Sequence, residues 1–155
     1  MISNGTVETG ERADEASPPI SRLYALAALL SLAGLADAVY LTVEHLTGRS
    51  VRCTVTSGCS EVLSSSYATI GGYPLALFGA LAYFTAFSLA TLAAFGSGRA
   101  GKFLAVLVAL MFATSLWLVY VQAFVLHAFC QYCLLSAAIT TLLVVIVIAR
   151  RASKK

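Results

Sequence analysis

Phe103 to Ala149 reads FLAVLVALMFATSLWLVYVQAFVLHAFCQYCLLSAAITTLLVVIVIA, 47 residues without a formal charge between Lys102 and Arg150. At about 1.5 Å per residue, one helix of that length would run roughly 70 Å, about twice what a bilayer's hydrocarbon core requires. The stretch must fold back on itself. Its one polar interruption is His127-Ala-Phe-Cys-Gln-Tyr-Cys133, which predicts two membrane spans, about 103–126 and 131–149, with a Cys-x-x-Cys motif opening the second.

Working outward, Leu23 to Val43 is apolar apart from Asp37 and is bounded by Arg22 and Glu44, a first span at about 23–43. Val62 to Gly98 carries no charge, but Gly71, Gly72 and Pro74 break its early part. Proline suits the first turn of a helix, so a second span is expected over about 74–95, with Gly96-Ser97-Gly98 as the turn. The chain has 155 residues, 59% hydrophobic and only 11% charged, too apolar for a soluble domain. The reading is an all-α membrane protein: a four-transmembrane-helix bundle over residues 21–150, a polar, disordered cytoplasmic tail at 1–20 and a basic tail at 151–155. Glu8, Glu11, Asp14 and Glu15 make the first tail unlike a secretory leader. Nucleic acid is not an expected partner, because the net charge of +3 comes with no basic stripe interleaved with aromatics.

Orientation follows from the basic residues, which favour cytoplasmic loops. With four spans, one side collects Arg12, Arg22, Arg99, Lys102, Arg150, Arg151, Lys154 and Lys155, and the other only Arg49 and Arg52. The termini are therefore expected in the cytoplasm of a multi-pass inner or plasma membrane protein. The loop from Glu44 to Tyr73 and the His127 to Cys133 hinge then face outward.

That places all four cysteines, Cys53, Cys59, Cys130 and Cys133, at one extracytoplasmic face, where disulfides persist. Two close pairs at one membrane face read as an electron relay. A dithiol that becomes a disulfide releases two electrons and two protons, which is what a membrane quinone needs for reduction. Cys130 and Cys133 fall in the first turn of a helix, where unpaired N–H groups and the helix dipole favour a thiolate. Cys133 lies deeper, nearer the bilayer and its quinones. Cys53 and Cys59 sit in a loop with small neighbours, Thr54, Thr56, Ser57 and Gly58, which can close a disulfide and can also swing. A purely structural staple is the plain alternative for this pair. Zinc is the rival chemistry, with His127 nearby, but Cys-x5-Cys is looser than common metal knuckles.

The sequence resembles the vitamin K epoxide reductase family in its bacterial single-domain form, over about Arg22 to Arg150. The resemblance rests on Cys53 and Cys59, the run Cys59-Ser-Glu-Val-Leu-Ser-Ser65, the segment Tyr73-Pro-Leu-Ala-Leu-Phe-Gly79, and Cys130-Gln-Tyr-Cys133. It implies a bundle around a quinone, ubiquinone or menaquinone, capped by the outer loop and a short helix after Cys59. It also implies roles. Cys53 would exchange with an extracytoplasmic thioredoxin-like protein, Cys59 would pass electrons to Cys130 through a transient mixed disulfide, and Cys133 would face the quinone. Ser65 matches a serine that the family keeps near its active site. Where the animal enzymes have an asparagine and a tyrosine associated with binding the naphthoquinone, this chain has Leu75 and Ala137, which points to an ordinary respiratory quinone as the substrate. The single-domain form implies no fused thioredoxin-like domain, so the partner is expected to act in trans.

Other residues carry weaker signals. Asp37 is ionisable inside a span, a functional candidate as hydrogen-bond donor or proton relay; the bland alternative is packing against Gln122 or a tyrosine. His127, beside the Cys-x-x-Cys motif, is a second proton-relay candidate, or a plain interfacial residue. Tyr67, Tyr73 and Trp117 are candidate quinone-wall aromatics or interface anchors, with Tyr67 and Phe78 favoured because they flank the family segment. The expected activity is that of a membrane thiol-disulfide:quinone oxidoreductase that reoxidises its partner for disulfide formation in exported proteins. The alternatives are a quinone-epoxide reductase using supplied thiols, and a non-enzymatic membrane carrier or assembly subunit with structural disulfides.

Overall fold

The computed structural model describes residues 19–49, 51, 53–55 and 58–153. The tail expected over 1–20 lies, up to residue 18, outside the described residues, as do Thr56 and Ser57 of the cysteine loop and the last two lysines. Among the described residues, four helices are long and apolar enough to cross a membrane. They are α1 (Pro19–Leu46), α3 (Leu75–Ala94), α4 (Gly98–Tyr120) and α5 (Gln131–Ala152), with a short α2 (Cys59–Ser64) ahead of α3.

Local chemistry explains where each begins and ends. α1 stops where Gly48 takes a positive φ of 65°, with the amides of Gly48 and Arg49 folding back to the carbonyls of His45 and Glu44. Pro74 precedes α3, and Gly96, at φ 97°, turns the chain between α3 and α4. Between α2 and α3 the structure adds a feature with no strong sequence signal: a two-stranded hairpin, β1 (Thr69–Ile70) paired with β2 (Tyr73–Pro74), around Gly71 and Gly72. Both glycines have positive φ, as a tight two-residue hairpin demands.

α3 packs against α1 most extensively, then on α4, α4 on α5, and α5 back on α1, closing a four-helix ring. The contact faces are lined with small residues, Ala27, Ala38, Ala80, Ala86, Ala90 and Ala93, which let the backbones approach closely. Gly34 goes furthest: a Cβ there would overlap the ring of Tyr83. Outward, Leu29, Phe84, Phe103, Leu110 and Ile148 are among many exposed large apolar side chains, the surface a lipid-embedded bundle presents. This is a multi-pass membrane protein.

α4 does not end as a plain α-helix. Val121–Leu126 forms a turn of π-helix, and His127 then takes a left-handed conformation, φ 47°. The widened turn frees the carbonyl of Gln122, which accepts the amides of His127 and Ala128 and so reverses the chain toward α5.

Candidate functional site

All four cysteines meet at one end of the bundle. Cys59 and Cys130 are buried at the centre of one apolar cluster with Leu41, Val51, Val62 and Ala128, and Cys53 and Cys133 pack against it. Cys53 and Cys59 are joined as a disulfide, while Cys130 and Cys133 are free thiols. No group of three metal-binding side chains occurs among the described residues.

Several features that hold this cluster together lie between the cysteines. Gly58, just before Cys59, is pressed against the segment just before Cys130: a Cβ on Gly58 would sit 2.7 Å from the Phe129 amide nitrogen and 2.8 Å from Ala128 Cβ. Only glycine permits that approach. Gln131, inside the Cys-x-x-Cys motif, accepts through Oε1 from the amides of Thr54 at 3.1 Å and Val55 at 2.8 Å, which pins the loop beside Cys53. Tyr132 sets its ring 5.3 Å from that of Tyr40 on α1. Gln122 accepts the Cys130 amide through Oε1 at 3.0 Å and so is engaged with the motif, while Asp37 Oδ2 is without a hydrogen-bond partner among the described residues. The signal for these residues was their position inside or next to the motif, but neither their partners nor the direction of each contact can be read from spacing.

Cys130 precedes the first residue of α5. The Cys133 thiol donates to its sulfur and lowers the Cys130 pKa to about 7, against the opposing effect of burial, with the first-turn amides of Cys133 and Tyr132 adding to the lowering. Cys130 is therefore poised as a thiolate at neutral pH.

Beneath the cluster lies a cavity of about 310 Å³, within the roughly 300–1,000 Å³ usual for small-molecule sites. Cys133 lines it. So do Ser65, Tyr67, Phe78 and Asp37, together with Leu75 and an otherwise mainly apolar wall. Ser65 also closes α2, its hydroxyl donating to the Val62 carbonyl at 2.7 Å. Tyr73 and Trp117 are exposed and away from the lining, and Trp117 stacks on Tyr120 at 6.0 Å. His127 is exposed at the hinge and does not line the cavity. The histidine that does is His45, two turns beyond Asp37 on the same face of α1. Tyr83, Ser136 and Thr140 are among its other polar residues, with Thr114, Ser115 and Gln122 on the α4 side, and the Tyr83, Ser136 and Thr140 group was not evident from the sequence.

One end of the membrane bundle thus combines a disulfide, a free dithiol and an apolar cavity. The sequence profile of the Vitamin K epoxide reductase family matches residues 25–148. The chain belongs to that family. No curated protein matches the chain. Membership makes it a membrane oxidoreductase of a kind that acts on disulfides and quinones, and the matched residues contain all four cysteines and every cavity-lining residue.

Proposed function

We propose that this member of the vitamin K epoxide reductase family is a thiol-disulfide:quinone oxidoreductase that reoxidises an extracytoplasmic thioredoxin-like partner. Electrons run from the partner to Cys53 and Cys59, then to Cys130 and Cys133, then to a quinone in the cavity. The observation that carries the reading is that Cys133 belongs both to the four-cysteine cluster and to the cavity wall. It links sulfur chemistry to a site of the right size and polarity for a ring.

Each hand-over is a thiol-disulfide exchange through a mixed disulfide. Reduced Cys59 attacks the Cys130–Cys133 disulfide at Cys130, releasing Cys133; Cys53 then attacks Cys59, releasing Cys130. A sulfur with a lowered pKa is a good leaving group, which suits Cys130 to this role. Bound quinone supplies the acceptor for two electrons and two protons. Ser65, Tyr67 and Phe78 form the wall beside the ring, and His127, exposed at the hinge, exchanges protons with water at the cysteine end. The bias of eight basic residues against two supports termini in the cytoplasm and cysteines outside.

The test is purified protein with a reduced thioredoxin-like protein and quinone, followed by quinone absorbance. Reduction that needs all three components supports the proposal; none with any thiol donor defeats it. A membrane-impermeant thiol reagent applied to intact reduced cells checks the orientation, which fails if only lysis exposes the cysteines.

A further inference from the structure

The cavity extends from the cysteine cluster into the bundle, and its polar groups lie at two levels. On α5, Cys133, Ser136 and Thr140 follow one another along the cavity side; on α1, His45, Leu41 and Asp37 do so in the reverse chain direction. Cys133 and His45 mark the outer level. Asp37, Ser136 and Thr140 mark the inner one, joined there by Tyr83 of α3.

Most of the inner groups satisfy one another. The Tyr83 hydroxyl is 2.8 Å from Ser136 Oγ and 3.0 Å from Thr140 Oγ1. Elsewhere on α1, Ser31 and Thr42 each donate to the carbonyl one turn back, and the buried Tyr24 hydroxyl, which has no partner among the described residues, lies away from the cavity. On the cavity wall Asp37 is the exception among the described residues. It is only 8% exposed, and its Oδ2 is buried with no hydrogen-bond partner among the described residues. A buried, unsatisfied polar atom on the wall of an apolar cavity is costly for the empty protein and calls for a ligand that supplies the missing contact.

We infer that Asp37 is the hydrogen-bond and proton donor to the quinone oxygen that points away from the cysteines. The inference rests on the quinone reading above and assigns that site a polarity. One helical turn separates Cys133 from Ser136, about the breadth of a single quinone ring, so a ring whose first oxygen lies at Cys133 carries its second to the level of Asp37. In its acid form a carboxyl has one O–H to donate, whereas the neighbouring Tyr83, Ser136 and Thr140 hydroxyls are engaged with one another.

The step balances. As the Cys130–Cys133 bond forms, the dithiol releases two electrons and two protons. The quinone takes both electrons, one proton at the oxygen near Cys133 and one from Asp37 at the far oxygen. The Asp37 carboxylate recovers the second proton of the dithiol, so dithiol plus quinone gives disulfide plus hydroquinone with Asp37 unchanged.

Steady-state reduction of a short-chain ubiquinone by dithiothreitol, with Asp37→Asn and Asp37→Ala beside the wild type, tests this. Asparagine keeps the shape and a donor but has no acid proton. The KM for quinone should stay within about threefold in Asp37→Asn while kcat falls about 10²-fold, the usual worth of a positioned acid. In Asp37→Ala, KM should rise at least about tenfold as well, the loss of one good contact. Quinone-free exchange between the Cys53–Cys59 disulfide and a reduced thiol partner should be unchanged in both. Wild-type kinetics in both variants would overturn the inference and leave the relay standing, and equal losses in quinone reduction and quinone-free exchange would overturn it by making Asp37 structural. A wild-type protein that reduces no quinone would remove the relay and this inference together.

Discussion

At the end of the bundle where α1 begins and α5 finishes, packing is direct and side chains fit backbone to backbone. The Arg150 guanidinium lies 4.2 Å over the Tyr24 ring, Gly101 leaves room for the Tyr24 hydroxyl, and alanines separate α1 from α3. At the opposite end the helices part around the cavity, and the space above it is closed by a loop, a six-residue helix and a hairpin. That cap is held by a disulfide, by Gln131 and by the approach at Gly58. The contrast separates stability from chemistry. Close helix contacts fix one half, while the other is held by a few discrete links, one of which is itself a redox bond.

The sharpest way to break this comparison is to remove a sulfur. Replacing Cys133 with alanine should lower quinone-dependent oxidation of the reduced partner by at least about 10³-fold, since the covalent route to the acceptor is gone. Replacing Cys53 should block partner turnover and leave part of the dithiothreitol oxidation. Quinone absorbance reads both. Equal activity in all four single-cysteine variants would abolish the distinction between the two ends.

Two glycines then test the halves separately. Gly58→Ala should slow formation of the Cys59–Cys130 mixed disulfide by up to about 10²-fold, because reaction falls steeply with misplacement of about 1 Å, while thermal unfolding changes little. Gly34→Ala meets the Tyr83 ring and should do the reverse, destabilising the bundle by about 1–3 kcal/mol with exchange per folded molecule preserved. Mass spectrometry of acid-quenched samples and unfolding in detergent distinguish them.

pH provides a milder probe of the cysteine end. Below about 7 the Cys130 sulfur holds its proton and is a poor nucleophile; above it the thiolate predominates. With Cys53–Cys59 oxidised, the rate of Cys130 attack after a pH jump should therefore rise about tenfold per pH unit up to 7 and then level off. A flat profile would remove the thiolate from the account. The smallest effect is expected of Gln131→Ala, which frees the Thr54 and Val55 amides and should cost about 1–2 kcal/mol of loop ordering. Hydrogen exchange at those two amides should accelerate, with protection inside α3 unchanged.

The sequence by itself determined the four spans, because a bilayer demands a long uncharged run for each crossing, and 47 such residues in one stretch admit only a fold-back. It also singled out the cysteines, whose pairing is local in the chain. Ser65, Tyr67, Phe78 and Asp37 were legible through motif context or charge, and they line one cavity. The tertiary structure decided the rest. His45 in place of His127 at the cavity, the Tyr83, Ser136 and Thr140 group, and the contact of Gly58 with Ala128 and Phe129 each join residues far apart in sequence. Hydropathy records how deep a residue lies in the membrane and leaves open which neighbouring helix it faces. That choice follows from close packing around small residues and from one widened turn at the end of α4.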